Sequence, residues 1–239
     1  MKKKKQLYEG KAKILFETDN ENLLIQEFKD DATAFNGKKS GKIANKGYVN
    51  NQMSAQLFRV IDSYNLPTHF VEVFADNAMI VSNLDMLAIE VVVRNYAAGS
   101  LLKRMDGVKE GDKLDPPLLE LFLKDDAKGD PLITDEEAIS QKLCTEDELR
   151  VIRRAAFKVN AILRAFFERR QIRLVDYKLE FGRGKDGKII LADEISPDTC
   201  RFWDMETDEK LDKDRFRLDL GNVEEAYEEM RRRVFKELA

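Results

Sequence analysis

The chain has one histidine, His69, and two cysteines, Cys144 and Cys200, in 239 residues. His69 sits in an apolar run (residues 68–74), where a structural role is expected rather than catalysis. The cysteines lie far apart and fit no metal-ligand spacing, so a reducing cytoplasm is the expected compartment. No apolar run approaches membrane-spanning length, and no apolar core follows the opening MKKKK. Neither a membrane span nor a signal peptide is therefore expected, and Lys2–Lys5 read as a solvated tail. An excess of one charge is also missing. The net charge is −4 and the pI is near 5.4, which argues against a general nucleic-acid surface but leaves local basic clusters for small phosphorylated ligands open. Internal repeats and low-complexity tracts are absent.

Charge of both signs is plentiful. Asp, Glu, Lys and Arg make up 36% of the chain, against about 25% in typical domains, while the hydrophobic share is an ordinary 43%. Such a surplus with so little cysteine would suit a heat-adapted protein. A chain of this length buries a large core, as one domain or as two lobes.

The most informative stretch is LVDYKLEFG (residues 174–182). Alternation along a strand puts Val175, Tyr177, Leu179 and Phe181 on one face and Asp176, Lys178 and Glu180 on the other. The apolar face suits a core. A row of acid, base and acid suits a sheet only if something charged lies over it. Gly182, Gly184 and Asp186-Gly187 then supply hairpin-turn chemistry, and a second apolar run (residues 189–192) delivers Asp193 and Glu194. If the hairpin closes, Glu180 and Asp193 converge on one divalent cation. Hard oxygen ligands suit Mg²⁺, which shares its shell with waters and nucleotide phosphates. The alternative is a solvated hairpin face with incidental ion pairs.

The front of the chain reads as β-rich, with strands over residues 7–16 and 23–28 joined by a polar turn. Gly10 interrupts the first, and Lys11 and Lys13 follow on one face, as a nucleotide phosphate would need. Lysine alternation on a protected edge strand explains the same pattern. Residues 30–47 are polar, rich in glycine, and carry Lys38, Lys39, Lys42 and Lys46. They read as a mobile lid over phosphates or as a disordered connection. A helix over residues 48–64 presents the stripe Val49, Met53, Leu57, Val60, Ile61 and Tyr64. Further strands are expected over residues 68–74, 78–83 and 88–94, with residues 84–86 as a hinge whose backbone is free to meet an adenine.

Arg94 ends one of these strands, and Gly99-Ser100 opens a short helix over residues 101–105. Free helix N–H groups, the Ser100 hydroxyl and Arg94 together make a phosphomonoester pocket. The competing reading makes Ser100 only an N-cap and Arg94 a buried ion-pair partner. Residues 115–134 read as proline-bounded and irregular, with Lys124 at their polar centre. Amphipathic helices are expected over residues 146–170 and 223–238.

Six stretches resemble a known family: YEGKAK (8–13), DDATAFNG (30–37), VVRNYAAGSLLKR (92–104), FLKDDA (122–127), VDYKLEFG (175–182) and DEISPDTCRFWD (193–204). They are similar to the SAICAR synthetases, and the likeness runs from Leu7 to the last helix. Ala88 departs from the pattern where proline is expected, and Asn36 stands where some members carry aspartate. The resemblance implies an α+β fold in two lobes, related to kinases and ATP-grasp enzymes, with ATP in the cleft between them. The expected boundaries are a β-rich nucleotide lobe at residues 1–85 and a larger mixed α/β lobe at residues 86–239. It implies that Gly10, Lys11, Ala12 and Lys13 cradle the phosphates, that Leu15 and Leu24 sandwich the adenine, and that the Met86 backbone reads its edge. Lys124 adds a nucleotide contact, and Glu180 and Asp193 hold Mg²⁺. Arg94, Ser100 and Arg201 bind the ribotide phosphate and carboxylate, Asp176 and Lys178 orient the imidazole, and Asp198 helps place a substrate. Lys13, Lys178, Glu180 and Asp193 form the implied catalytic set.

The implied reaction joins L-aspartate to carboxyaminoimidazole ribotide with ATP, through an acyl phosphate, in de novo purine biosynthesis. It needs charge neutralisation and positioning but no side-chain nucleophile, which agrees with the shortage of histidine and cysteine. A small-molecule kinase would use the same lysines and acids on a sugar-phosphate-like substrate. No nucleic-acid or membrane partner is expected, and the family suggests a homodimer.

Overall fold

Gly10 breaks the first expected strand in two. In the computed structural model, which describes residues 1–34 and 37–236, Lys3–Glu9 (β1) and Lys13–Thr18 (β2) are separate antiparallel strands. The Gly10 N–H closes the turn on the Lys13 carbonyl at 2.8 Å. The lysine tail is thus the start of an edge strand. Lys3 reaches Glu27 at 2.5 Å and lies 3.7 Å above the Phe16 ring, so its charge guards an edge that would otherwise pair with another chain.

Leu23–Phe28 (β3) continues this sheet. A small hairpin, Asp31–Ala34 (β4) with Lys39–Lys42 (β5), then stands where a lid or disorder was expected. Phe35 and Asn36 of that segment, and Leu238 at the expected end of the last helix, lie outside the described residues. Helix α1 (Lys46–Ser63) buries Val49, Met53, Leu57 and Ile61 as its stripe predicts, whereas Tyr64 caps the helix and is exposed. Phe70–Ala75 (β6) and Ala78–Ser82 (β7) complete an antiparallel sheet of order β1-β2-β3-β7-β6.

The second sheet is built on Asp85–Tyr96 (β8), Lys113–Leu123 (β9), Leu132–Ile133 (β10), Ile172–Arg183 (β11), Ile189–Ala192 (β12) and Cys200–Asp204 (β13). Its order is β10-β9-β8-β11-β12, with β13 also on β11, and every ladder is antiparallel. The stretch expected to be irregular is therefore largely strand. Pro116 and Pro117 are tolerated because β10 covers β9 only at Leu121 and Phe122, leaving the proline half as a free edge.

Helices α2 (Asp135–Ser140) and α3 (Glu146–Glu168) each begin on a capping box, Thr134/Glu137 and Thr145/Glu148. Helix α3 buries Leu149, Ile152, Ala156, Val159, Leu163 and Phe167 as expected, and α4 (Asp214–Arg217) and α5 (Val223–Phe235) follow. One apolar cluster joins α1, α3 and α5 to the faces of both sheets, so the fold is mixed α+β around a shared core. On β11, Tyr177, Leu179 and Phe181 enter that core. A register shift against β13 between Leu174 and Asp176 sends Val175 instead to a smaller cluster with Ala98 and Trp203.

Candidate active site

The charged face of β11 looks into two adjoining cavities. The larger, about 470 Å³, lies between the first sheet and the strands β8, β11 and β12. The Gly10–Lys11–Ala12 turn roofs it, Leu15 and Leu24 form apolar walls, and Met86 stands at its edge. Lys13, Lys124, Glu180 and Asp193 line its floor, so every residue expected at the nucleotide faces one space. The edge is tight: a Cβ on Gly182 would lie 2.8 Å from the Leu84 Cβ and 3.0 Å from the Met86 sulfur.

Ion pairs knit the floor together. Lys13 contacts Asp193 and also Glu194, the latter at 2.9 Å. Lys178 reaches Glu180 at 2.5 Å, Glu90 at 2.9 Å and Asp193 at 3.7 Å, and Lys124 reaches Glu180 at 2.5 Å. Burial by itself would depress Lys13 and Lys178, but the carboxylates, Asp193 foremost, outweigh it and raise both above the usual lysine range. Burial would likewise raise Asp193, yet Lys13 and Lys178 hold its carboxyl well below the ordinary value. The Lys13 and Lys178 ammonium groups thus stay charged, facing Glu90, Glu180, Asp193 and Glu194.

Asp193 is held from both ends. Its backbone is left-handed, φ 68°, a conformation costly for a residue with a side chain. Its carbonyl accepts from the Gln26 side chain at 3.1 Å. Gln26 was not anticipated, because a glutamine within an apolar strand gives no sign of what it meets 167 residues away. His69 is buried edge-on against Phe58, and burial lowers its pKa to about 4, so it is neutral. It also borders the larger cavity, and its Nε2 has no partner.

The smaller cavity, about 250 Å³, is lined by Arg94, Asp176, Lys178, Asp198 and Arg201, and by Arg217, which the sequence reading missed. Guanidinium and carboxylate groups alternate around it. Arg104 and Arg94 share Glu120 (2.6 and 2.7 Å), Arg94 and Arg201 share Asp176 (2.6 and 2.9 Å), and Arg201 and Arg217 share Asp214 (2.7 and 2.5 Å). Four cations against three anions leave a surplus of one positive charge. Gly99 permits this packing: its φ is +59°, and a Cβ there would collide with the Arg201 guanidinium.

Two local expectations change. The short helix over residues 101–105 is a 3-10 turn, Gly99–Lys103, with Ala98 rather than Ser100 at its N-cap. Ser100 lies behind the smaller cavity, 3.4 Å from the Arg94 Nη2, and Arg94 is 3% exposed, as its buried ion-pair reading required. Asp198 is no free acceptor: it takes Lys46 at 2.8 Å and the Tyr227 hydroxyl at 2.6 Å.

The larger and smaller cavities share Lys178, Asp198 and Thr199 as a common wall. The sequence profile of the SAICAR synthetases matches residues 6–234. The chain belongs to the SAICAR synthetase family. Phosphoribosylaminoimidazole-succinocarboxamide synthase of Chlorobium chlorochromatii is 56% identical over 236 residues, covering 99% of this chain and all of that one. The crystal structure of the synthase from Ehrlichia chaffeensis matches with a TM-score of 0.94 at 42% identity, over 96% of this chain and 98% of that one. A SAICAR synthetase solved in complex with ADP matches with a TM-score of 0.93 at 48% identity, over 96% and 97%. SAICAR synthetases are ATP-dependent ligases of purine biosynthesis, so the enzyme class and α+β fold expected from the sequence hold. Among the described residues no helix is long and apolar enough to cross a membrane.

Proposed function

We propose that ATP occupies the larger cavity and carboxyaminoimidazole ribotide the smaller, and that L-aspartate attacks where they meet. The shared wall carries this reading, because a phosphoryl donor and a carboxylate acceptor on either side of Lys178 can meet without crossing solvent. Lys11, Lys13 and Lys124 neutralise the nucleotide phosphates, with the Gly10–Ala12 turn beside them, Leu15 and Leu24 against the adenine and Met86 at its edge. Lys178 balances charge on the ribotide carboxylate as it accepts the γ-phosphoryl group. The surplus positive charge of the arginine network suits the ribotide phosphate. Within it, Asp176 fixes Arg94 and Arg201, while Ser100 supports Arg94 from behind.

Glu180 and Asp193 fit Mg²⁺ in donor type, since both are hard, charged and gathered around the single ammonium of Lys178. Among the described residues no group of three or more metal-ligating side chains occurs, so phosphate and water would supply the remaining ligands. When bound, the ion would withdraw charge from the phosphates and favour transfer. The γ-phosphoryl group moves from ATP to the ribotide carboxylate with ADP as the leaving group, and the amine of aspartate then displaces phosphate to leave an amide. Both buried, unpaired thiols fit a reducing cytoplasm, and a homodimer is proposed on the family resemblance. A coupled assay of ADP release tests the reading. Release with the ribotide should require aspartate, whereas stoichiometric turnover without it would indicate a kinase.

A further inference from the structure

Two helices outside both cavities brace the wall between them. Among the described residues neither α1 nor α5 lines either cavity, yet each sends a buried side chain to Asp198, which lines both. Lys46, in the first turn of α1, reaches Oδ2 at 2.8 Å, and the Tyr227 hydroxyl of α5 donates to Oδ1 at 2.6 Å. Each helix thus takes one carboxylate oxygen from behind the wall. Lys213, which does line the larger cavity, stands further off at 3.5 Å.

The backbone of the same segment is pinned as well. Ser54 lies about two turns after Lys46 on α1 and so on the same face. Its hydroxyl donates to the Ile195 carbonyl at 3.1 Å and accepts from the Ile195 N–H at 3.2 Å. The Asp198 N–H donates to Ser196 Oγ at 3.1 Å, and that hydroxyl donates to Glu194 at 2.5 Å, the acid that also pairs with Lys13. The wall is therefore tied to a lysine of the nucleotide floor on one side and to α1 and α5 on the other.

Stability alone does not account for the arrangement. Lys46 is wholly buried and the Asp198 side chain nearly so, and an apolar pair of the same size would pack there without the cost of desolvating two charges. Burial would raise the Asp198 pKa, but Lys213 and Lys46 outweigh it and hold the carboxyl below its ordinary value. Burial, then the charge of Asp198, push the Tyr227 phenol well above its ordinary value, so it remains the donor. A carboxylate offers about four lone-pair sites. With one on each oxygen held from behind, the remaining sites are left for the cavities that Asp198 lines.

We propose that Lys46 and Tyr227 are positioning residues, which act on the reaction only through Asp198 by aiming its carboxylate at the junction of the cavities; this rests on the ligase reading above.

The test is a double-mutant cycle read by steady-state kinetics well below the melting temperature. Tyr227→Phe, which removes one oxygen and keeps the ring, should lower kcat about tenfold with KM for ATP within about threefold. In an Asp198→Asn background the same substitution should change kcat by less than about twofold, because the charged group it aims is gone. Lys46→Met should behave likewise, with part of the loss restored in Lys46→Arg. If Lys46→Met is insoluble, or Asp198→Asn is too slow to assay, kcat and KM of Tyr227→Phe decide the matter. An unchanged kcat in Tyr227→Phe, or a loss of equal size in both backgrounds, overturns the positioning role while the ligase reading stands. ADP release by the unaltered enzyme without aspartate overturns the ligase reading itself, and the positioning role with it.

Discussion

Replacing Arg94 with methionine should weaken both the fold and ribotide binding, in amounts the arginine network sets. Arg94 is 3% exposed and donates to Glu120 at 2.7 Å and to Asp176 at 2.6 Å. Removing one partner of a buried ion pair costs about 3–5 kcal/mol, because the remaining charge is stranded. Here neither acid is fully stranded. Glu120 keeps Arg104 at 2.6 Å and Asp176 keeps Arg201 at 2.9 Å, so the lower end, about 3 kcal/mol, is expected. For a chain of this size that is a fall in Tm of roughly 6–12 °C. The substrate effect should be smaller than for a free arginine, since Nε and Nη1 are already used and only Nη2, beside Ser100, remains. A loss of about 2 kcal/mol, or roughly thirtyfold in ribotide KM with ATP KM unchanged, follows. Urea unfolding and steady-state kinetics on one preparation give both values. A Tm drop below about 2 °C together with an unchanged ribotide KM would refute the network's double role.

The other predictions concern the floor of the larger cavity. Glu180→Gln and Asp193→Asn should each remove most turnover without changing the circular dichroism spectrum, and near-normal activity at saturating Mg²⁺ would end the metal assignment. Lys13→Met should raise KM for ATP and lower kcat; a change in ribotide KM alone would place this lysine at the other substrate. Gln26→Leu should lower kcat about threefold or more by freeing the Asp193 carbonyl, with ribotide KM intact, and an unaltered kcat would show that the left-handed backbone holds itself. His69 supplies a pH test. Its folded pKa of about 4 lies below the ordinary 6.5, so the unfolded chain binds more protons between those values and stability falls as pH drops through that window. His69→Gln should flatten this dependence by up to roughly 3 kcal/mol; an equally steep profile in the variant would assign it to other groups.

Much of this molecule can be read from local pattern. Alternation along residues 174–182 identifies β11, and Asp186-Gly187 announces the hairpin that brings Glu180 opposite Ala192, one residue from Asp193. The stripe of α3 and its capping box follow from nearest-neighbour chemistry, which acts within three or four residues. Glycine and proline are where such reading slipped. Gly10 turned one expected strand into two, and Pro116 and Pro117 hid a strand that tolerates them because its other edge is free.

The placement of charge across the fold was not legible, for a different reason. Nothing around Lys46 points to Asp198, 152 residues later, and nothing around Gln26 points to the Asp193 carbonyl. Arg217 gives no sign in the sequence that it lines the smaller cavity, and that it closes a network of four guanidinium groups on three carboxylates depends on which acids other cations have already taken. Secondary structure and hairpin register are fixed by forces between neighbours. The balance of charge in a buried site is a sum over side chains from every part of the chain, so only the tertiary structure decided it.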